Sequence, residues 1–303
     1  MKAIFGSGVL FALTASLAGA QTVVGRTEET WTTRESLARG QQLRLTSPNG
    51  TITIAPGSGN EVEIRAEKRT ERGARIEDVG FIVRKSSEGL VVCAVYDDGD
   101  ECDLVDGYRQ RRNSWRDGWR SPRVNFTVRM PEGVTLQAET GNGDVAITGA
   151  GSDVKASTGN GRVLISGTTG RVFAHTGNGR VTVEDARGPV EATTGNGDVR
   201  VSTSDGPVSA RSGNGDIEVS MARMARASEM SFSTGSGRIL LTVPASFGAE
   251  LEGSTGNGEI SSDIPMRVEG RINPRRIRGT LGGGGERLEL HSGNGDITIR
   301  RGS

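Results

Sequence analysis

Two sets of residues in this chain have types and spacing that could do chemistry. The first is the stretch DDGDECDLVDGYRQRRNSWRDGWRSPR, residues 97–123, whose body is a polar insertion over 97–122. It opens with Asp97, Asp98, Asp100, Glu101, Asp103 and Asp106 and turns basic and aromatic. Aromatic faces beside guanidinium groups suit sugar rings and anionic polymers, through stacking and bidentate hydrogen bonds. Tyr108, Arg111, Arg112, Trp115, Arg116, Trp119 and Arg120 are therefore the candidate ligand-binding residues. A plainer reading stays open: the acidic and basic halves neutralise one another and the tryptophans cover neighbouring surface. The acids lack the ligand spacing of a calcium loop.

The second set follows a recurring turn. Gly-Asn-Gly begins at Gly141, Gly159, Gly177, Gly195, Gly213, Gly256 and Gly293, and Gly-Ser-Gly at Gly235. The next residue is Asp144, Arg162, Arg180, Asp198, Asp216, Glu259, Asp296 and Arg238 respectively. A calcium-binding β-roll needs an acid in every such turn so that neighbouring turns share each ion. Arginine in that column repels the cation, so the sequence predicts no metal array. His175 and His291, the two histidines, each precede a turn, at outward parity, with no recurring acid or serine beside them. No outward column keeps the carboxylate pair that polysaccharide hydrolysis uses. The expectation is a non-enzymatic protein with no catalytic residues, no metal and no cofactor.

The elements that position these residues come from an eighteen-residue period, clearest over 140–220. Each unit reads as two strands. One carries pairs such as Val145 and Ile147, or Val163 and Ile165; the other carries Val154 and Ala156, or Val172 and Ala174. Period-two spacing puts each pair on one face. An antiparallel meander and a β-solenoid both fit that alternation. A meander leaves its apolar face uncovered, whereas a flattened solenoid buries the Val/Ile face against its own Val/Ala face. The predicted fold is therefore an all-β, single-chain β-solenoid, parallel β-helix-like, with two strands per coil and about a dozen coils. Right-handed winding is the default for parallel crossovers. Stacked turns would align Asn142, Asn160, Asn178, Asn196 and Asn214 as a ladder, with glycines supplying positive φ. The Thr or Ser before each turn has inward parity, placing its hydroxyl at the corner.

Residues 1–20 read as a signal peptide: Lys2, a short apolar stretch, then Ala18, Gly19 and Ala20 as an A-x-A cleavage site. Residues 21–40, with Trp31, read as an N-terminal cap and 41–303 as the solenoid domain. MARMARASEM, residues 221–230, lengthens one coil and reads as a packing flap with Met221, Met224 and Met230 inward. No later segment is apolar enough to span a bilayer, and Ala20 stands where a lipoprotein would need cysteine. The location expected is the periplasm, or beyond it as a secreted or surface protein. There a disulfide between Cys93 and Cys102 is expected. With 37 basic and 37 acidic residues, charge gives no reason to seek nucleic acid.

At FTVRMPEGVTLQAETGNGDV, STGSGRILLTVPASFGAELEGSTGNGEISSDIP and RLELHSGNGDITIRR the chain resembles a bacterial "putative adhesin" domain family of unknown function, over about residues 43–300. The resemblance implies a β-solenoid of GNGD/I repeats and an envelope or surface role, and it carries no catalytic residues. The expected function is adhesin-like or scaffolding, with a glycan, cell-wall polymer or surface protein as partner. The alternative is a carbohydrate- or polyanion-binding module, or less readily a polysaccharide-acting enzyme, working through 97–122.

Overall fold

A computed structural model describes residues 22–70, 73–110, 121–223, 228–269 and 273–302. The strands form two long sheets, of fourteen and twelve strands, and one two-stranded ribbon. In the repeat the chain passes from one long sheet to the other at each Gly-Asn-Gly corner. Val154–Asn160 lies in the fourteen-stranded sheet and Val163–Ser166 in the twelve-stranded one. Pairing between successive coils is parallel and in register: Val145 pairs with Val163, then Val181, Val199 and Ile217. On the other sheet Ala138, Ala156, Ala174, Ala192 and Ala210 align. All of these are buried, so each coil closes its own core and stacking extends it. Toward the C-terminal end the alanine column becomes Phe232 and then Leu290, both buried.

The coil corners explain the Thr-Gly-Asn-Gly string. Thr158 Oγ1 donates to the Gly143 carbonyl at 2.8 Å, and Thr176 and Thr194 repeat the bond to Gly161 and Gly179 at 2.9 Å. Each hydroxyl thus satisfies a buried-side carbonyl of the neighbouring turn. Outside it, Asn160 Nδ2 donates to Asn142 Oδ1 at 2.9 Å, and Asn178, Asn196 and Asn214 continue the ladder at 2.8–2.9 Å. The second glycine has no substitute: Gly161 sits at φ 153°, and a Cβ there would lie 2.0 Å from the Gly143 oxygen.

Chain order and stacking order part company at both ends. The coil Gln42–Asn49 with Ile52–Pro56 is internal. It lies between Thr135–Asn142 with Val145–Thr148 on one side and Gly89–Val95 with Arg123–Met130 on the other. Beyond these, Gly80–Lys85 and Glu61–Arg69 run antiparallel, followed by Val23–Val24 and Thr30–Ser36 at the two edges. Trp31 therefore covers the end of the stack, with two strands between it and the 42–56 coil, and stacks on Phe81 with centroids 4.6 Å apart. At the C-terminal end, Arg287–Asn294 and Ile297–Arg301 insert between the 230–243 coil and the 249–262 coil. Parallel two-strand coils number ten among the described residues, fewer than the expected dozen, because Glu61–Arg69, Gly80–Lys85, Met266–Val268 and Arg276–Leu281 are antiparallel end strands. Met221 and Met230 are buried; Met224 and residues 1–21 lie outside the described residues. No helix among the described residues is long and apolar enough to cross a membrane.

Candidate functional site

The polar insertion begins as a flap on the outer face of the fourteen-stranded sheet. Strand Gly89–Val95 is buried along its whole length. Leu90, Val92 and Ala94 face the main core, while Val91, Cys93 and Val95 face outward into a second small core with Ile82 and Cys102. That two-sided burial is why the strand reads LVVCAV without alternation. Residues 96–110 supply the cover. Their ribbon, Glu101–Asp103 with Gly107–Arg109, is bound to the sheet by the disulfide between Cys93 and Cys102.

The acids of this half are engaged in folding it. Asp100, 3% exposed, accepts the N–H groups of Tyr96 and Asp97 at 3.1 Å and the Tyr108 hydroxyl at 2.9 Å. Burial, and then the Asp100 charge, push the Tyr108 phenol well above its ordinary range. Asp103 accepts from the N–H of Asp106 at 2.6 Å and of Val105 at 2.9 Å, and the Asp106 bond leads in holding its carboxyl below the usual value. Asp106 pairs with Arg109 at 2.7 Å, and Asp98 pairs with Arg26. Beneath the flap Arg44 is buried, donating to the carbonyls of Leu104 and Val105 at 3.0 and 2.8 Å. Of the candidate ligand-binding residues, Tyr108 is thus tied inward by its hydroxyl. Arg111, Arg112, Trp115, Arg116, Trp119 and Arg120 lie outside the described residues.

A groove of about 350 Å³ starts beside the flap on the same outer face. Gln42, Gln137, Asp153, Lys155, Arg171 and Phe173 line it. One outward column runs Gln137, Lys155, Phe173, Glu191 and Ser209 across neighbouring strands. Phe173 is 38% exposed and is the only exposed aromatic residue among those described. Asp153 is held in place by accepting the Arg171 N–H at 2.8 Å. The groove thus offers a ring face, two cations, a carboxylate and two amide side chains. That set can stack on a pyranose and hydrogen-bond its hydroxyl or acidic groups. Phe173 does not stand out from the repeat period. The signal was there: in RVFAH the phenylalanine has outward parity in a column that is otherwise polar.

His175 is exposed one outward position along from Phe173, and His291 Nδ1 meets Ser254 Oγ at 3.0 Å. Among the described residues no three His, Cys, Asp or Glu side chains are grouped to hold a metal.

The model of the Toastrack DUF4097 family matches residues 109–300. No curated protein matches the chain. Among solved structures, similar chains include a "putative cell adhesion protein" from Clostridium sporogenes, at 12% identity over 90% of this chain and all of that one, TM-score 0.28. A "putative adhesin" from Bacteroides fragilis is 12% identical over 91% of this chain and 98% of its own, TM-score 0.34. Another from Parabacteroides merdae is 8% identical over the same shares, TM-score 0.35. These distant likenesses carry no argument about function.

Proposed function

The chain belongs to the Toastrack DUF4097 family, and we propose that it is an exported, non-enzymatic, adhesin-like protein of the cell envelope that binds a glycan or cell-wall polymer. Its contact face is the outer face of the fourteen-stranded sheet, from the flap to Phe173. One observation carries the reading: an exposed phenylalanine between Lys155 and Glu191 in an otherwise polar column, with Arg171 and Gln137 lining the same groove. It is the ring set among charged and amide side chains in a groove, rather than its exposure alone, that suits stacking on a sugar. The leader-like residues 1–20 and the disulfide between Cys93 and Cys102 support export to an oxidising compartment, periplasmic or at the surface.

The test is binding of residues 21–303 to a panel of glycans, cell-wall fragments and polyanions, beside Phe173→Ser and a version with 103–121 replaced by a short linker. Saturable binding weakened about tenfold or more by Phe173→Ser, ~1.4 kcal/mol, supports the groove. A second reading, binding by the insertion itself, is favoured by the disulfide that anchors the flap; loss only in the linker version would select it. Absence of binding by all three folded proteins would sink both and leave scaffolding.

A further inference from the structure

Among the described residues the two long sheets have four edge strands, and three are short. Val23–Val24 and Met266–Val268, of 2 and 3 residues, end the fourteen-stranded sheet; Ile260–Ser262, of 3, ends one side of the twelve-stranded sheet. The fourth, Thr30–Ser36, has 7 residues. Brevity is one way sheets avoid pairing with another chain, and a long unpaired edge is a template for a further strand.

Its inner pairing fixes which groups it offers. Thr30–Ser36 runs antiparallel to Glu61–Arg69. At either end of the ladder the Leu37 N–H donates to the Asn60 carbonyl at 2.8 Å and the Lys68 N–H to the Glu29 carbonyl at 2.9 Å. Hydrogen-bonded residues alternate in an antiparallel ladder. Trp31, Thr33 and Glu35 therefore bond inward, and the N–H and C=O of Thr30, Thr32, Arg34 and Ser36 point away from the sheet. The strand contains no proline to blunt that edge. Its charges are held within the chain: Arg34 pairs with Glu63 at 2.8 Å and Glu35 with Lys85 at 3.1 Å.

We propose that this edge is where two copies of the chain join, antiparallel, about a two-fold axis through Thr33. The sequence of the edge selects a second copy because it is complementary to itself in that register. Thr30 then faces Ser36 and Thr32 faces Arg34 of the second copy, so four residues on each side exchange both backbone groups, about eight hydrogen bonds. Centring on Arg34 instead would set the two Arg34 side chains opposite one another, which like charge disfavours. Centring on Thr32 would leave Ser36 outside the matched residues. The pairing makes the two twelve-stranded sheets continuous and places the stacks end to end. It uses neither the groove nor the insertion.

The experiment is sedimentation equilibrium of residues 21–303 over a concentration series, with thermal melts alongside. Thr32→Pro removes an outward N–H and no internal hydrogen bond, and proline is accepted on edge strands. The wild type is expected to dimerise reversibly, and Thr32→Pro to raise the dissociation constant at least tenfold while still melting cooperatively. Thr32→Lys and Thr32→Glu decide the matter if the proline variant does not fold. They set a cation or an anion opposite Arg34 of the second copy, so the first weakens and the second tightens the dimer. A wild type that stays monomeric at its highest soluble concentration overturns the proposal. So does an unchanged dimer in Thr32→Pro, or the same response to lysine and glutamate.

Discussion

Arg162 lies over Asp144 one coil away: its Nη2 and Nε donate to Asp144 Oδ2 at 2.7 and 3.1 Å, and its backbone N–H donates to Oδ1 at 2.7 Å. Arg238 and Asp216 repeat the arrangement, and Arg180 reaches Asp198 at 3.1 Å. The alternation of Asp and Arg after the turn is thus a column of ion pairs between coils. An acidic side chain does two jobs there, balancing a guanidinium and taking a backbone N–H of the next turn.

The pairing predicts a dependence on acid. Burial raises the Asp144 and Asp216 pKa values, but hydrogen bonds and charge from Arg162 and Arg238 outweigh it, and both lie below the ordinary value. As pH falls, the unfolded chain takes up these protons before the folded one, so the stabilisation is full above about pH 5 and lost through the carboxylate range and below. Asp144→Asn with Asp216→Asn should cost about 0.5–1 kcal/mol per site near neutrality, as expected for exposed pairs. The difference from wild type should shrink as pH falls toward about 3. Urea melts at several pH values check this, and a pH-independent difference would contradict it.

Gly161→Ala tests the corner backbone. The new methyl would meet the Gly143 carbonyl at 2.0 Å, at a positive φ where L residues rarely sit. Because the opposing atom is backbone, the two coils must separate locally, with an expected loss of about 2–4 kcal/mol. Gly283→Ala is the control, since nothing lies within 4 Å of its Cβ position. Equal melting temperatures for the two variants would refute the packing argument.

How much of this was legible beforehand depended on whether the relevant contact was local in the repeat. Val145 with Val163, or Ala156 with Ala174, is fixed by an eighteen-residue offset, and the coils follow from it. The end strands were not legible. Nothing in RLELHSGNGDITIRR says that it stacks on both the 230–243 and 249–262 coils, because the three turns differ only in Ser236 for Asn and any order satisfies local pairing. The insertion leaves two readings open, a ligand surface and a self-neutralising loop; that Asp100 and Tyr108 pack and hydrogen-bond together under the flap depends on contacts that spacing does not encode. Phe173 was hidden for the opposite reason, since a single outward substitution leaves the period unchanged.

Lys68 fastens the end beneath Trp31. It is 1% exposed, and its Nζ lies 2.6–2.9 Å from the carbonyls of Gly25, Arg26, Ile76 and Val79 and 5.6 Å from the Phe81 centroid. Burial, followed by the Arg26 charge, draws its pKa down to about 8, so the ammonium form still holds at neutral pH. Three N–H bonds serve four carbonyls, which ties the 25–29 and 73–79 loops to one point. Lys68→Met leaves those carbonyls without that donor, and a local cost of about 2–4 kcal/mol is expected. Amide exchange should accelerate in 24–36 and 73–85 and stay unchanged in 154–221. Uniform acceleration along the chain would show that this end is not a separate cooperative unit.

Removing the last residues should do more harm than removing an end. In a solenoid stacked in chain order, deleting the final coil loses one neighbour interface and leaves the rest paired. Here Arg287–Asn294 pairs with Met230–Ser236 on one side and Ala249–Asn257 on the other, and Ile297–Arg301 pairs with Ile239–Val243 and Ile260–Ser262 in the same way. Stopping at residue 286 therefore empties an internal layer, uncovering Leu241 and Phe232 on one side and Leu251 and Ile260 on the other. The 249–281 segment loses its parallel partner, and its remaining pairing is the antiparallel strand Arg276–Leu281. Limited proteolysis of the 21–286 protein should release 249–281 while 135–243 stays protected. Protection of 249–281 equal to that in the full chain would mean that the 249–262 coil closes directly onto 230–243, and that the inserted coil is a wedge the stack can do without.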